Sequence, residues 1–248
     1  MFRKKIFFWG TVWLVLLTAC NSNIQHLSDA DVNYIENDDS LAEDEGIDDF
    51  IKPYREDLNK EMNIVVGLLP EDLVKSKPNS NLGNWFCDML KAEAESLSKT
   101  KIDFAIQNYG GLRVPSIAKG PLTKGEIFEL MPFDNMLVIL EVKGSIIQKM
   151  ANGMAQYGGW PISKGFSFKI DDEKAMDIKV NDKPLELDKT YRIAMPDYVA
   201  NGGDKAGNFK DIEQENLGFF IRDIIINRLS KLSEEGEEIF IDNSKRIF

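Results

Sequence analysis

The sequence predicts a mixed α/β domain, built on a mixed sheet, over residues 47–248. Three observations carry that expectation. Segments with apolar residues three and four apart are interspersed with short apolar runs, so helices and strands are interleaved along the chain. Several hairpin-like runs gather late, at 165–170, 176–180 and 190–195. No internal repeat and no Pro/Gly-rich linker follows Ile47, so one domain is expected.

The elements follow in order. Ile47, Phe50, Ile51, Tyr54, Leu58 and Met62 share one face of an amphipathic helix. Residues 63–69 (NIVVGLL) read as a strand, and a polar loop through Lys75, Lys77 and Pro78 follows. Asn79 or Ser80 is placed to cap a helix over 82–98, with Leu82, Trp85, Phe86, Met89, Leu90 and Leu97 on its apolar face. Residues 101–107 (KIDFAIQ) read as a buried strand that ends in the turn Asn108-Tyr109-Gly110-Gly111. A short helix is expected over 123–130, a strand over 135–143 and a helix over 145–156. Gly158-Gly159-Trp160-Pro161 is a loop, 197–207 is glycine-rich and irregular, and a last helix spans 218–232.

The chain has 248 residues, 43% of them hydrophobic and 29% charged, which is the profile of a globular protein with a core. Its net charge of −11 gains nothing from counterion release, so nucleic-acid polymers are poor partners. A small anion such as a nucleotide stays open, because a local basic pocket can override the global charge. The single histidine, His26, lies before the folded part, which excludes Ser-His-Asp and Cys-His nucleophilic schemes there. It leaves no imidazole set for a two-metal phosphatase centre. No Walker loop and no GxGxxG after a strand occurs.

The N-terminus reads as an address. Arg3, Lys4 and Lys5 precede an apolar run at 6–17, too short for a comfortable transmembrane helix, and then Thr18-Ala19-Cys20. Residues 17–20 (LTAC) resemble the bacterial lipobox, which implies a signal peptide over 1–19 and lipidation of Cys20. A lipid there tethers a protein to a membrane without spanning it. Residues 20–46, acidic and without Lys or Arg, read as a solvated tether. The expected location is the cell envelope, lipid-anchored, periplasmic or on the outer surface. The second cysteine, Cys87, reads as a small buried apolar residue.

Three loops bring polar groups, aromatics and glycines together. In the first, Asn108, Gly110, Gly111 and Arg113 follow a buried strand. The glycines let backbone N–H groups approach a ligand, and the guanidinium can fork onto a phosphate or carboxylate. In the second, Phe133 offers a stacking face and Asn135 a base-edge hydrogen bond, just before a strand. In the third, Tyr198 offers another ring, and Asp204 follows Gly202 and Gly203. Each loop taken alone is equally readable as a structural turn.

Together they resemble the C-terminal domain of the 5'-nucleotidase family, which includes periplasmic UDP-sugar hydrolases. The segments that carry the resemblance are SNLGNWFCDML at 80–90, DFAIQNYGGLR at 103–113, GPLTKGEIFELMPFDNMLVILEVKG at 120–144, YRIAMPDYVANGGD at 191–204 and the terminal KRIF. The resemblance runs over about 47–248 and implies a four-layer α/β/β/α arrangement. It implies that the nucleobase lies between Phe133 and Tyr198, with Asn135 at the base, Asp204 at the ribose and Arg113 on the phosphate side. Gly158 or Gly159 would lie beside the base. Asp72 and Ser76 stand where relatives often carry phosphate-binding arginines; Lys75 and Lys77 are adjacent but lack the planar fork.

In that family an N-terminal half holds two metals and performs the hydrolysis, and this chain has a signal and tether in its place. The expectation is therefore a nucleotide- or nucleoside-recognition domain of a 5'-nucleotidase-type phosphohydrolase. It binds no cofactor itself, does not hydrolyse alone, and has its divalent metals in a separate metallophosphatase chain. The alternatives are a non-catalytic nucleoside-binding surface lipoprotein and a structural remnant without ligand.

Overall fold

A computed structural model describes residues 44–205 and 209–248. The expected signal peptide, Cys20, His26 and all but the last residues of the tether lie outside the described residues. The chain divides into two compact units, residues 1–48 and 49–248. Residues 44–48 are what is described of the first. There the Asp44 carboxylate accepts hydrogen bonds from the N–H groups of Gly46 and Ile47 at 2.9 and 3.2 Å, an N-cap that starts helix α1, Glu45–Met62. The first helical turn thus includes Glu45 and Gly46, which the sequence placed in the tether.

The second unit is organised by a four-stranded sheet. Strand β1 is Val65–Leu69, β2 Leu73–Val74, β3 Phe104–Ala105, β4 Ser116–Ile117, β5 Gly120–Thr123 and β6 Met136–Lys143. Strands β7 Phe166–Asp171, β8 Lys174–Val180 and β9 Lys183–Pro184 form a meander; β10 is Thr190–Pro196 and β11 Gln214–Phe220. The helices after α1 are α2 Asn81–Ser98, α3 Lys124–Leu130, α4 Gly144–Gln156, the single turn α5 Asp197–Ala200, and α6 Ile221–Glu235. The central strand order is β11-β6-β10-β3, with β6 antiparallel to both of its neighbours and β3 parallel to β10. This is the expected mixed sheet in a mixed α/β fold.

Strand β6 shows why Leu137 to Leu140 are a continuous apolar run. Leu137 and Ile139 point into one core, where they meet Leu82, Phe86 and Leu90 of α2 and Ile225 and Leu229 of α6. Val138, Leu140 and Val142 point into the other, with Ile147, Met150 and Met154 of α4 and Phe166 and Phe168 of β7. Alternate residues of a strand face opposite sides, so a sheet covered on both sides needs apolar residues at every position. In the second core Phe104 and Phe166 stack with ring centroids 4.2 Å apart.

Helix starts follow capping chemistry. Ser80 Oγ accepts from the Gly83 N–H at 2.9 Å, so Ser80 rather than Asn79 caps α2. Thr123 and Glu126 exchange side-chain and backbone hydrogen bonds in a capping box at α3. Asn79 instead fastens the C-terminal segment: its side chain accepts from the N–H groups of Arg246 and Ile247 and donates to the Ile247 carbonyl. The buried Arg246 guanidinium forks onto Asp88 at 2.9 and 2.6 Å and reaches Asp242 and the Ile162 carbonyl. The KRIF segment is thus a structural clasp on α2. Cys87 is fully buried beside it, and burial raises its thiol well above the usual range.

Several expectations shift. The strand expected over 101–107 keeps only Phe104 and Ala105 in a ladder; its outer edge meets residues 161–163 through a single bridge between Ile106 and Ile162, backbone hydrogen bonds from Ser163 N–H to the Ala105 carbonyl and from Gln107 N–H to the Pro161 carbonyl, and the Ala105 N–H bond to Ser163 Oγ at 2.7 Å. Strand β11 occupies residues that the sequence left unassigned or gave to the last helix, so α6 starts at Ile221 rather than 218. The expected apolar face of α1 exists, but no residue of the helix is buried; Phe50 and Tyr54 are 70% and 68% exposed.

Candidate functional site

The topology gathers the three loops at one end of the central sheet. Strand β6 starts where antiparallel β10 ends, with Leu137 opposite Pro196, and β3 ends alongside Ala194 of β10. The segment after β3, the segment before β6 and the segment after β10 therefore leave the sheet side by side. Asn108, Gly110, Gly111, Arg113, Phe133, Asn135, Tyr198 and Asp204 come together around one cavity of about 220 Å³. Phe133 and Tyr198 are both partly exposed on its wall.

Asp204 anchors one side. Its residue adopts a left-handed backbone at φ 49°, ψ 33°, which Asp tolerates better than most side chains. One carboxylate oxygen accepts from Asn108 Nδ2 at 2.6 Å and the other from the Tyr198 hydroxyl at 3.1 Å. Behind it, buried Gln107 donates from Nε2 to Asn108 Oδ1 at 2.8 Å. The relay Gln107–Asn108–Asp204–Tyr198 fixes the carboxyl group at the cavity edge.

Two glycines are required by contact. A Cβ on Gly203 would meet the Tyr198 ring at 2.3 Å, so the ring lies flat on that glycine. A Cβ on Gly111 would come within 2.0 Å of Gln107 Nε2 and 2.6 Å of Asn108 Oδ1. At Gly110 the nearest contact is an ordinary 3.6 Å to Asp204 Oδ2. Gly202 and Gly203 build the turn to Asp204 without lining the cavity. Gly158 stands apart from it, with Lys77 as its near neighbour.

Arg113 is the cation on the cavity wall, and Lys75 and Lys77 lie near it around Tyr109. Arg113 lies 5.6 Å from the Phe133 ring centroid and donates to the Gly110 carbonyl at 3.3 Å. Lys75 Nζ donates to the Leu112 carbonyl at 2.6 Å, and Lys75 and Lys77 sit 4.3 and 4.4 Å from the Tyr109 ring centroid. Burial, then Arg113, then Lys77 push the Lys75 ammonium below its usual pKa of 10.5. Like charges held this close form a basin for an anion, in a chain whose net charge is −11. Asp72 is turned away from it: its carboxylate accepts from the Lys119 N–H at 2.7 Å.

Sequence reasoning missed Gln107, Asp197 and Tyr109. Asp197 Oδ1 accepts from the Met136 N–H at 3.1 Å and the Tyr198 N–H at 2.8 Å, tying the Phe133–Asn135 loop to the segment of Tyr198. Gln107 carried a signal: a polar amide directly after an apolar strand. Among the described residues no group of three or more His, Cys, Asp or Glu is placed to hold a metal ion, so the donor set does not fit a two-metal hydrolytic centre.

Comparison with known proteins agrees with the resemblance. Residues 65–211 match the family model described as 5'-nucleotidase, C-terminal domain. A 5'-nucleotidase of Vibrio parahaemolyticus is 30% identical over 176 residues, covering 67% of this chain and 30% of that protein. One from Vibrio vulnificus is 29% identical over 218 residues, 84% of this chain and 38% of the relative. The crystal structure of a 5'-nucleotidase precursor from Thermus thermophilus superposes with a TM-score of 0.69 at 27% identity, over 80% of this chain and 42% of that one. The chain thus spans about a third of the length of these two Vibrio relatives, and by its sequence and its fold it belongs to the 5'-nucleotidase C-terminal domain family.

Proposed function

We propose that this chain is the nucleotide- or nucleoside-recognition module of a 5'-nucleotidase-type phosphohydrolase, acting in nucleotide catabolism, with the dimetal catalytic half supplied by a separate chain. The observation that carries the reading is the convergence of Phe133, Tyr198, Asn135, Asp204 and Arg113 on one cavity from three loops. The base stacks between Phe133 and Tyr198, its edge meets Asn135, the ribose hydroxyls donate to Asp204, and a 5'-phosphate turns toward Arg113 and Lys75.

The energetics are adequate. Two aromatic faces at ~1–3 kcal/mol each contribute roughly 2–6 kcal/mol. Micromolar affinity needs about 8 kcal/mol. Charge-assisted hydrogen bonds at Asp204 supply about 1.5–3 kcal/mol each and close the difference. The lipobox-like residues 17–20 support an anchor at Cys20 that holds the module on a bacterial membrane in the cell envelope, so that capture occurs where its catalytic partner meets substrate.

Calorimetric titration with adenosine and 5'-AMP, beside Phe133→Ala/Tyr198→Ala, tests the clamp. Binding lost in the double variant supports it; equal binding by both proteins removes it. Co-purification of the lipidated chain with a metallophosphatase, and stimulation of that enzyme by wild type but not by the double variant, tests the split arrangement. No stimulation of a co-purifying metallophosphatase would leave nucleoside capture without catalysis.

A further inference from the structure

Beyond Asp204 the surface opens into a second cavity of about 420 Å³, larger than the clamp. Gly110 and Asp204 line both, so the two cavities meet at the carboxylate where the ribose is placed. The second is walled by Tyr109, Tyr157 and Trp160, with Lys77 and Lys205 at its margin. Its floor continues along α4 past Lys149. Tyr157 is 43% exposed, whereas Trp160 is 7% exposed and offers only its rim. Gly158 and Gly159, at φ 74° and 102°, form the turn that presents both rings, and a Cβ on Gly159 would meet the Pro78 carbonyl oxygen at 3.0 Å.

The clamp does not use Tyr157, Trp160 or Lys205, while Asp204 borders both cavities and Lys77 stands between the anion basin and the second one. Three rings and three ammonium groups against one carboxylate suit a planar ligand that carries negative charge. The position fixes how such a group is attached. With the 5' side of the nucleoside directed to Arg113, substituents on the ribose hydroxyls at Asp204 pass into the second cavity. We infer that this cavity is a second subsite for a phosphodiester-linked unit on the 2'- or 3'-oxygen of the clamped nucleoside. Its phosphate lies between Lys77 and Lys205, and its base stacks on Tyr157. The ligand class is a short 3',5'-linked oligonucleotide end rather than a mononucleotide alone.

This rests on the clamp reading, and the test separates the two. The full chain is titrated with adenosine and with the 3',5'-linked dinucleoside monophosphate of adenosine. The dinucleotide is expected to bind about tenfold tighter or more, the size of one base–aromatic stack. In Tyr157→Ser/Lys205→Gln that ratio falls to about one while adenosine affinity is unchanged, which also shows that the variant is folded. Equal affinities in the wild type, or a ratio that survives in the variant, overturns the second subsite and leaves the clamp standing. Dinucleotide binding that depends on Tyr157 without any adenosine binding retains the second subsite and removes the clamp. Binding of neither ligand overturns both.

Discussion

Asn108 donates from Nδ2 to Asp204 Oδ2 at 2.6 Å across 96 residues of sequence, and this bond joins the loop after β3 to the loop after β10. Asn108 is nearly buried, so its amide has no water to turn to if the carboxylate moves. The bond holds a left-handed aspartate at the ribose position. Asn108→Ala should therefore weaken adenosine binding by about 1.5–3 kcal/mol, the worth of a hydrogen bond to a charged group. Binding of 2',3'-dideoxyadenosine, which offers Asp204 no hydroxyl, should change much less. Equal losses for both ligands would assign Asn108 to the fold rather than to ribose recognition. Tyr198→Phe removes only the 3.1 Å hydroxyl contact and should cost under about 1 kcal/mol, since the stacking face remains.

Gly203 and Gly110 should respond differently to alanine. Gly203→Ala places a methyl within 2.3 Å of the Tyr198 ring, so the ring must leave its place and nucleoside binding should fall at least tenfold with the fold intact. Gly110→Ala meets only a 3.6 Å contact and should leave adenosine affinity within about twofold. Titration of both variants, with circular dichroism to confirm folding, checks the contrast.

Lys75 makes phosphate recognition pH-dependent. Burial, Arg113 and Lys77 lower its pKa from 10.5 in the free chain, and a bound phosphate raises it again. Binding of 5'-AMP should take up protons on the alkaline side, and its affinity should fall as pH rises through the lowered value; adenosine should show neither effect. The folding equilibrium runs the other way. Between the lowered value and 10.5 the unfolded chain holds more protons at this site, so Lys75 makes stability rise with pH in that window. Calorimetry of 5'-AMP binding in two buffers of different ionisation enthalpy measures the uptake, and Lys75→Met should abolish it.

Arg246 should govern stability and leave ligand preference alone. Removing it strands Asp88 and Asp242 and the Ile162 carbonyl around a buried site, with an expected loss of about 3–5 kcal/mol. The urea midpoint of Arg246→Ala should fall accordingly, with the ratio of 5'-AMP to adenosine affinity preserved. Burial works to raise the pKa of Asp242, but hydrogen bonds from Ser244 and Arg246 outweigh it and hold the carboxyl below 3.8. Its contribution to stability is present above that value and is lost as pH falls through the lowered one.

The sequence made two of the clamp loops legible because each joins aromatic and charged residues to paired glycines after an apolar strand, a combination that a packed core does not need; the third was legible as Phe133 and Asn135 beside a proline just before an apolar strand. The helices were legible where periodicity and caps coincided, as at Ser80 and Thr123. Strand β11 was not, because Glu215, Asn216, Phe219 and Phe220 are all exposed, so no alternation between buried and exposed residues marks it. Asp197 escaped notice because its role is to hold the Met136 N–H, 61 residues away, and no local pattern records such a partner. The apolar stripe of α1 was read correctly as helical, but periodicity says nothing of what covers a face.

The pairing of β6 with β10 acts as a caliper. Phe133 hangs from the start of one strand and Tyr198 from the end of the other, with Leu137 opposite Pro196 between them. The distance between the rings is therefore set by strand registration as well as by the loops. Deleting a single residue from either strand would reset the gauge by about 3.3 Å and turn every following side chain to the wrong core. The strands must keep their residue count, whereas substitutions in the loops that keep loop length can shift ligand preference without resetting that registration.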